Sequence, residues 1–169
     1  LFNIMGGAIG LLWVANLAVV ILLLVQRFQN PIMAWALRFG LIVALVGMAV
    51  AFVMPQPTPG QLAQLEATGT SEFIGAHSVG VEDGGPGLPM VGWSTVGGDV
   101  RVPHFVGIHA LQALPVVGWL LMVLPVTWLT VRDRARLMIL AGLGGLGVVL
   151  LLMWQALRGQ SVIAPDVMT

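Results

Sequence analysis

Four stretches of this sequence, at residues 4–25, 32–54, 104–131 and 137–157, are long, apolar and almost without charge. An α-helix needs about 20 such residues to cross a hydrocarbon core of about 30 Å, and each stretch reaches that length. Composition closes off a soluble alternative. The chain is 58% hydrophobic and 8% charged, where a soluble domain is about one quarter charged. Its mean hydropathy is +0.98. A chain of 169 residues has too little interior to hide that much apolar surface from water, so lipid is the expected solvent. The expected fold class is an all-α membrane protein of four transmembrane helices, with a long ordered extracytoplasmic loop between helices 2 and 3. Helices 1 and 2 fall within residues 1–54, the loop within 55–103, helices 3 and 4 within 104–158, and a tail occupies 159–169.

Several function classes fall away. Seven basic residues balance seven acidic ones, so there is no basic patch for nucleic acid. Cysteine is absent, which excludes disulfides, thiolate metal sites and iron–sulfur clusters. The first apolar run lacks a positive leader and is too long for a signal peptide, so a membrane helix is expected there.

Local signals refine the four spans. Gly6 and Gly10 form a GxxxG pair, Gly47 and Ala51 a second small-residue pair, and AGLGGLG at 141–147 a smooth face; each suits close helix packing. Pro31 suits the first turn of the second helix. Arg38 lies two turns inside that span, where a side chain snorkelling to the interface is expected. PQPTPG at 55–60 stops the helix, and residues 61–67 are expected to form a short surface helix with Leu62 and Leu65 toward the membrane. Pro115 and Pro125 are expected to kink the third span. RDRAR at 132–136 reads as a tight charged turn, and Trp128 and Trp154 as interfacial belt residues. Arg27, Arg38, Arg132, Arg134 and Arg136 gather at one side of a four-span arrangement. The positive-inside rule makes that side cytoplasmic in a bacterial inner membrane and places the loop and both ends outside.

The chemistry is concentrated in residues 77–112, HSVGVEDGGPGLPMVGWSTVGGDVRVPHFVGIHALQ, which hold all three histidines. His104, His109 and Gln112 share a broad helical face, with His109 and Gln112 three apart so that both reach one neighbour. Three readings stand side by side. In the first, His109, His104 and Gln112 bind a cofactor, a haem or chlorophyll-type ring, or His77, Asp83, Asp99 and His104 hold a metal ion. The His-x4-His spacing departs from the i,i+4 pair of helical zinc motifs. In the second, His77, Asp99, Arg101, His104 and His109 line a wet path that ends at Gln112, with no inner half. In the third the polar groups are structural: Arg101 pairs with Asp99, Glu82 or Asp83, and Arg101 and Trp93 anchor the loop. The glycines at 84–87 and 97–98 permit tight turns but do not join a strand to a helix, so phosphate-loop readings are rejected.

The run DGGPGLPMVGWSTVGGDVRVPHFVGIHALQALPVVGW at 83–119, with PTPGQ upstream at 57–61, resembles a segment of uncharacterised multi-pass membrane proteins of bacteria. The resemblance covers roughly residues 31–135. It implies a shared fold and nothing chemical. The expected function is an integral membrane subunit or scaffold of a larger respiratory or photosynthetic complex, with a histidine holding a haem or pigment. The alternative is a membrane oxidoreductase or other metal-dependent enzyme with its site at the outer face. Expected partners are the lipid bilayer and other membrane subunits.

Overall fold

The computed structural model describes residues 2–70 and 74–167. In chain order the elements are α1 (Phe2–Val25), α2 (Pro31–Val50), α3 (Pro59–Thr68), β1 (Ser78–Val79), β2 (Gly98–Asp99), α4 (Arg101–Val123) and α5 (Val131–Leu157). Four of the helices, α1, α2, α4 and α5, are long and apolar enough to cross a membrane, as expected of a multi-pass membrane protein.

The helix ends differ from expectation, and local chemistry explains each case. α2 stops at Val50 rather than 54. Phe52, Val53 and Met54 donate three residues back, to Ala49, Val50 and Ala51 (3.1, 3.1 and 3.3 Å), tightening the chain ahead of Pro55. α4 begins three residues earlier than expected because the Asp99 carboxylate accepts from the Arg101 backbone N–H at 3.0 Å, which caps the helix start. It ends at Val123, so Pro125 lies beyond the helix and terminates it instead of kinking it. Pro115 lies in the interior of α4 and Pro103 in its first turn. α5 begins at Val131, so RDRAR is the first turn of a helix and not a turn between helices. Thr130 and Asp133 cap it reciprocally: Asp133 N–H donates to Thr130 Oγ1 at 3.2 Å, and Thr130 N–H to Asp133 Oδ2 at 3.3 Å.

The chain divides into two compact units, Leu1–Met48 with Val106–Val149, and Ala49–Phe105 with Leu150–Thr169. In the first, α2 and the included parts of α4 and α5 enclose a core around Phe39, Val43, Leu114 and Met138. Lipid is as apolar as these side chains, so close van der Waals contact has to hold such helices together. Gly47 and Gly107 provide it, since a Cβ on Gly47 would stand 2.6 Å from the Gly107 Cα. The small pair expected at 47 and 51 is therefore used at Gly47. Gly142 packs against the Phe39 ring, whereas a Cβ on Gly6, Gly10, Gly144 or Gly147 would meet nothing within 4 Å. α1 shows most of its side chains outward, and the Trp13 indole N–H ties it to Leu45 O at 3.1 Å.

Arg38 reaches back toward the turn that precedes its helix. Its guanidinium donates to Leu23 O in the last turn of α1 and to Gln26 O just past it, each at 2.9 Å, and stacks on Trp35 and Phe28. Arg134 does the same for the end of α4: it donates to Leu121 O, to Leu124 O at 3.1 Å and to Val126 O at 2.8 Å. Both arginines satisfy carbonyls that a helix C-terminus leaves open and place positive charge at the negative end of its dipole.

The second unit has a small core of Val50, Val100 and Ala156 with Met54, Val79 and Met153 against it. β1 and β2 pair antiparallel, Ser78 opposite Asp99 and Val79 opposite Gly98. Glycine is required at 98, because a Cβ there would collide with Ala156 O in the last turns of α5. The surface helix expected at 61–67 is α3. Thr58 and Gln61 form a capping box at its start, and the Gln61 amide also exchanges two hydrogen bonds with the Gly75 backbone (2.9 and 3.0 Å).

Candidate functional site

The polar cluster of the second unit is built around Asp99. Its place in the ladder next to Ser78 buries its carboxylate among backbone, and every approach to it is a donor. Arg101 donates from its backbone N–H (3.0 Å), from Nε (3.0 Å) and from Nη2 (2.6 Å), and Ser94 N–H donates at 2.9 Å. The same Arg101 Nη2 donates to Gly92 O at 2.6 Å, so one guanidinium clips the 88–92 turn to the start of α4. Charge-assisted, two-pronged contacts of this kind are the strong ones.

Asp83 makes a second, shallower knot. Its two oxygens accept from the backbone N–H groups of His77 (3.1 Å) and Ser78 (2.8 Å). The His77 imidazole lies between the two acids, Nδ1 being 3.3 Å from Asp83 Oδ1 and 3.9 Å from Asp99 Oδ2. Burial raises the pKa of both acids, but other contacts outweigh it. Asp83 is held below the usual carboxylate range by the Ser78 hydroxyl, the two backbone N–H groups and His77. Asp99 is held below it by the Arg101 guanidinium and the N–H groups of Ser94 and Arg101.

Residues that the sequence did not single out complete the arrangement. The Ser94 hydroxyl accepts from Gly97 N–H at 3.0 Å. Ser161 in the tail donates to Ser94 O at 2.9 Å, and the Gln155 amide, on α5, donates to Ser161 O at 2.9 Å. Gln155, Ser161, Ser94 and Asp99 are all buried. Gln155 was visible as a lone polar residue near the end of an apolar run. Ser161 carried no signal in the sequence.

The expected site residues therefore separate. His77, Asp83, Asp99 and Arg101 come together, and Trp93 stacks edge-on against Phe105 with ring centroids 5.5 Å apart. His104 is half-buried in the first turn of α4. The four residues expected as metal ligands do not form a ligand set: among the described residues no three His, Cys, Asp or Glu side chains are grouped to hold a metal ion. Both oxygens of Asp99 and of Asp83 already face N–H donors. His109 and Gln112 lie in the first unit and are exposed on α4.

A cavity of about 120 Å³ borders the cluster, lined by His77, Ser78, Gly92, Ser94 and Arg101 among others. Its walls offer an imidazole, two hydroxyls and a guanidinium whose strongest contacts are turned away into Asp99 and Gly92. Such a set can position polar groups. The His77 Nδ1 faces Asp83 and the neighbouring Ser78 hydroxyl together, at 3.3 Å each. Comparison of the chain with family models, with curated proteins and with solved structures finds no match.

Proposed function

We propose that this chain is a non-catalytic integral membrane subunit or scaffold of a larger bacterial membrane complex, with residues 55–103 forming an ordered module at the outer face. One observation carries this reading. The ionisable groups gathered at Asp99 are turned onto one another and onto backbone N–H groups, so that among the described residues both carboxylates of the cluster are already engaged. A lock of this kind fixes the shape of a loop. Arg27 in the 26–30 turn and Arg132, Arg134 and Arg136 at the start of α5 support the inner side for the 26–30 and 124–130 turns.

The test is an absorption spectrum with metal analysis of protein purified gently from its native membrane, with partner subunits identified by mass. A colourless, metal-free chain that copurifies with larger membrane subunits is the expected result. A Soret or near-infrared band, or about one metal per chain, overturns the non-catalytic reading. A second reading, an enzyme working at the outer face, has the polar cavity beside His77 and Arg101 in its favour. It requires that His77→Ala abolish a reaction while leaving the fold intact.

A further inference from the structure

Gln112 sits at the midpoint of the 23-residue α4, and it is exposed. A carboxamide presented outward halfway along a membrane-crossing helix faces hydrocarbon, where its N–H and C=O groups lose water without replacement. It does not stand alone. His109, Gln112, Val116, Trp119 and Val123 are all exposed, Val116 and Trp119 each to 54%. Their spacing is three, four, three, four, the seam of a left-handed helix pair. The opposite side of α4, about 180° away at 100° per residue, is already filled. There Ala110, Leu114 and Gly118 are buried, with Gly118 against Ala36 of α2. α4 thus carries two seams, one used inside the first unit and one presented outward.

We propose that the outward seam docks a second copy of this chain, α4 against α4 across a twofold axis along the membrane normal. Three features select an identical partner. A carboxamide both donates and accepts, so Gln112 is complementary to itself. A twofold contact sets Gln112 near the Gln112 of the other copy, at matching depth, and pairs the two amides. No charged residue occurs from Val102 to Val131, so two copies meet without repulsion. Trp119, bulky and exposed on the same stripe, supplies the packing area.

The chain contains no cysteine, which allows a clean test on the full protein in its native membrane. Single cysteines are placed at Val116, Trp119 and Val123 on the seam, and at Leu111 and Met122, which are exposed but off it. Mild oxidation with copper phenanthroline is expected to give homodimers at seam positions in about fivefold higher yield, because only there do paired Cα atoms approach to about 6 Å. In the Val116→Cys background, Gln112→Leu is expected to lower the yield about three- to tenfold and Gln112→Asn to preserve it. Equal yields on and off the seam overturn the proposal. So do seam adducts formed only with a chain of different mass, the signature of a foreign helix on this face.

Discussion

At Asp99 a single carboxylate holds three segments: its own strand, the Ser94 turn and the start of α4 through Arg101. Removing it leaves a half-buried guanidinium and two backbone N–H groups without their acceptor. Asp99→Ala is therefore expected to destabilise the second unit by about 3 kcal/mol, near the figure for severing a buried ion pair. Limited proteolysis within residues 74–100 should accelerate accordingly. Asp99→Asn, which keeps an acceptor oxygen, should fall between. The same carboxylate sets an acid limit. Asp83 and Asp99 titrate lower in the folded than in the unfolded chain, so at acid pH the unfolded chain binds more protons. Their stabilisation is fully present above the unfolded value of about 3.9 and is lost as pH falls through the lower folded values. In micelles, the amide NMR signal of Ser94 should hold its position from neutral pH down to about 4 and move below it. A shift centred near neutrality would show that Asp99 does not govern that amide.

At the scale of elements, glycine placement separates contacts already made from faces left open. Gly47 and Gly107 touch backbone to backbone, so Gly47→Ala must push α2 and α4 apart. Overpacking of that kind costs about 1–3 kcal/mol, and the midpoint of SDS unfolding should drop to match. Gly144→Ala, with nothing within 4 Å of the added Cβ, should leave the midpoint unchanged or raise it, since alanine favours the helix by about 1 kcal/mol. Equal losses at both positions would mean that Gly47 has no special part. The existence of these elements was legible because length and apolarity alone define a membrane-crossing helix; their ends were not. Pro125 and Pro115 look alike in sequence, yet one ends α4 and the other lies within it. Arg38 reads as a charge needing water, and its actual partners are carbonyls 12 to 15 residues earlier. The polar cluster was legible as a stretch but not as a geometry. Its Asp99–Arg101 clip is local, and its Ser161 contact spans 67 residues, a separation that no motif encodes. His109 and Gln112 were rightly placed on one face of a helix, but which way that face turns depends on where α4 packs, and the buried seam at Ala110 and Leu114 decides it.

For the whole molecule the open question is which side of the bilayer each loop faces, and charge distribution makes a definite statement. The segment from 124 to 136 holds Arg132, Arg134 and Arg136, and the 26–30 turn holds Arg27, while 55–103 holds Arg101 alone beside five acids. Asp133 and Arg134 are engaged locally, Asp133 in the α5 cap and Arg134 on the carbonyls ending α4, but engagement does not cancel charge, and Arg132 and Arg136 are exposed. The positive-inside bias therefore still acts on that turn during insertion. With no native cysteine to interfere, Glu66→Cys on α3 and Thr127→Cys between α4 and α5 report the two sides separately. A membrane-impermeant maleimide should label position 66 in intact spheroplasts and position 127 only after permeabilisation. Labelling in the reverse order would place the Asp99 module in the cytoplasm, and any role for it would then concern cytoplasmic partners. Labelling of both positions from outside would remove α4 as a crossing helix, and with it the mid-bilayer setting of Gln112.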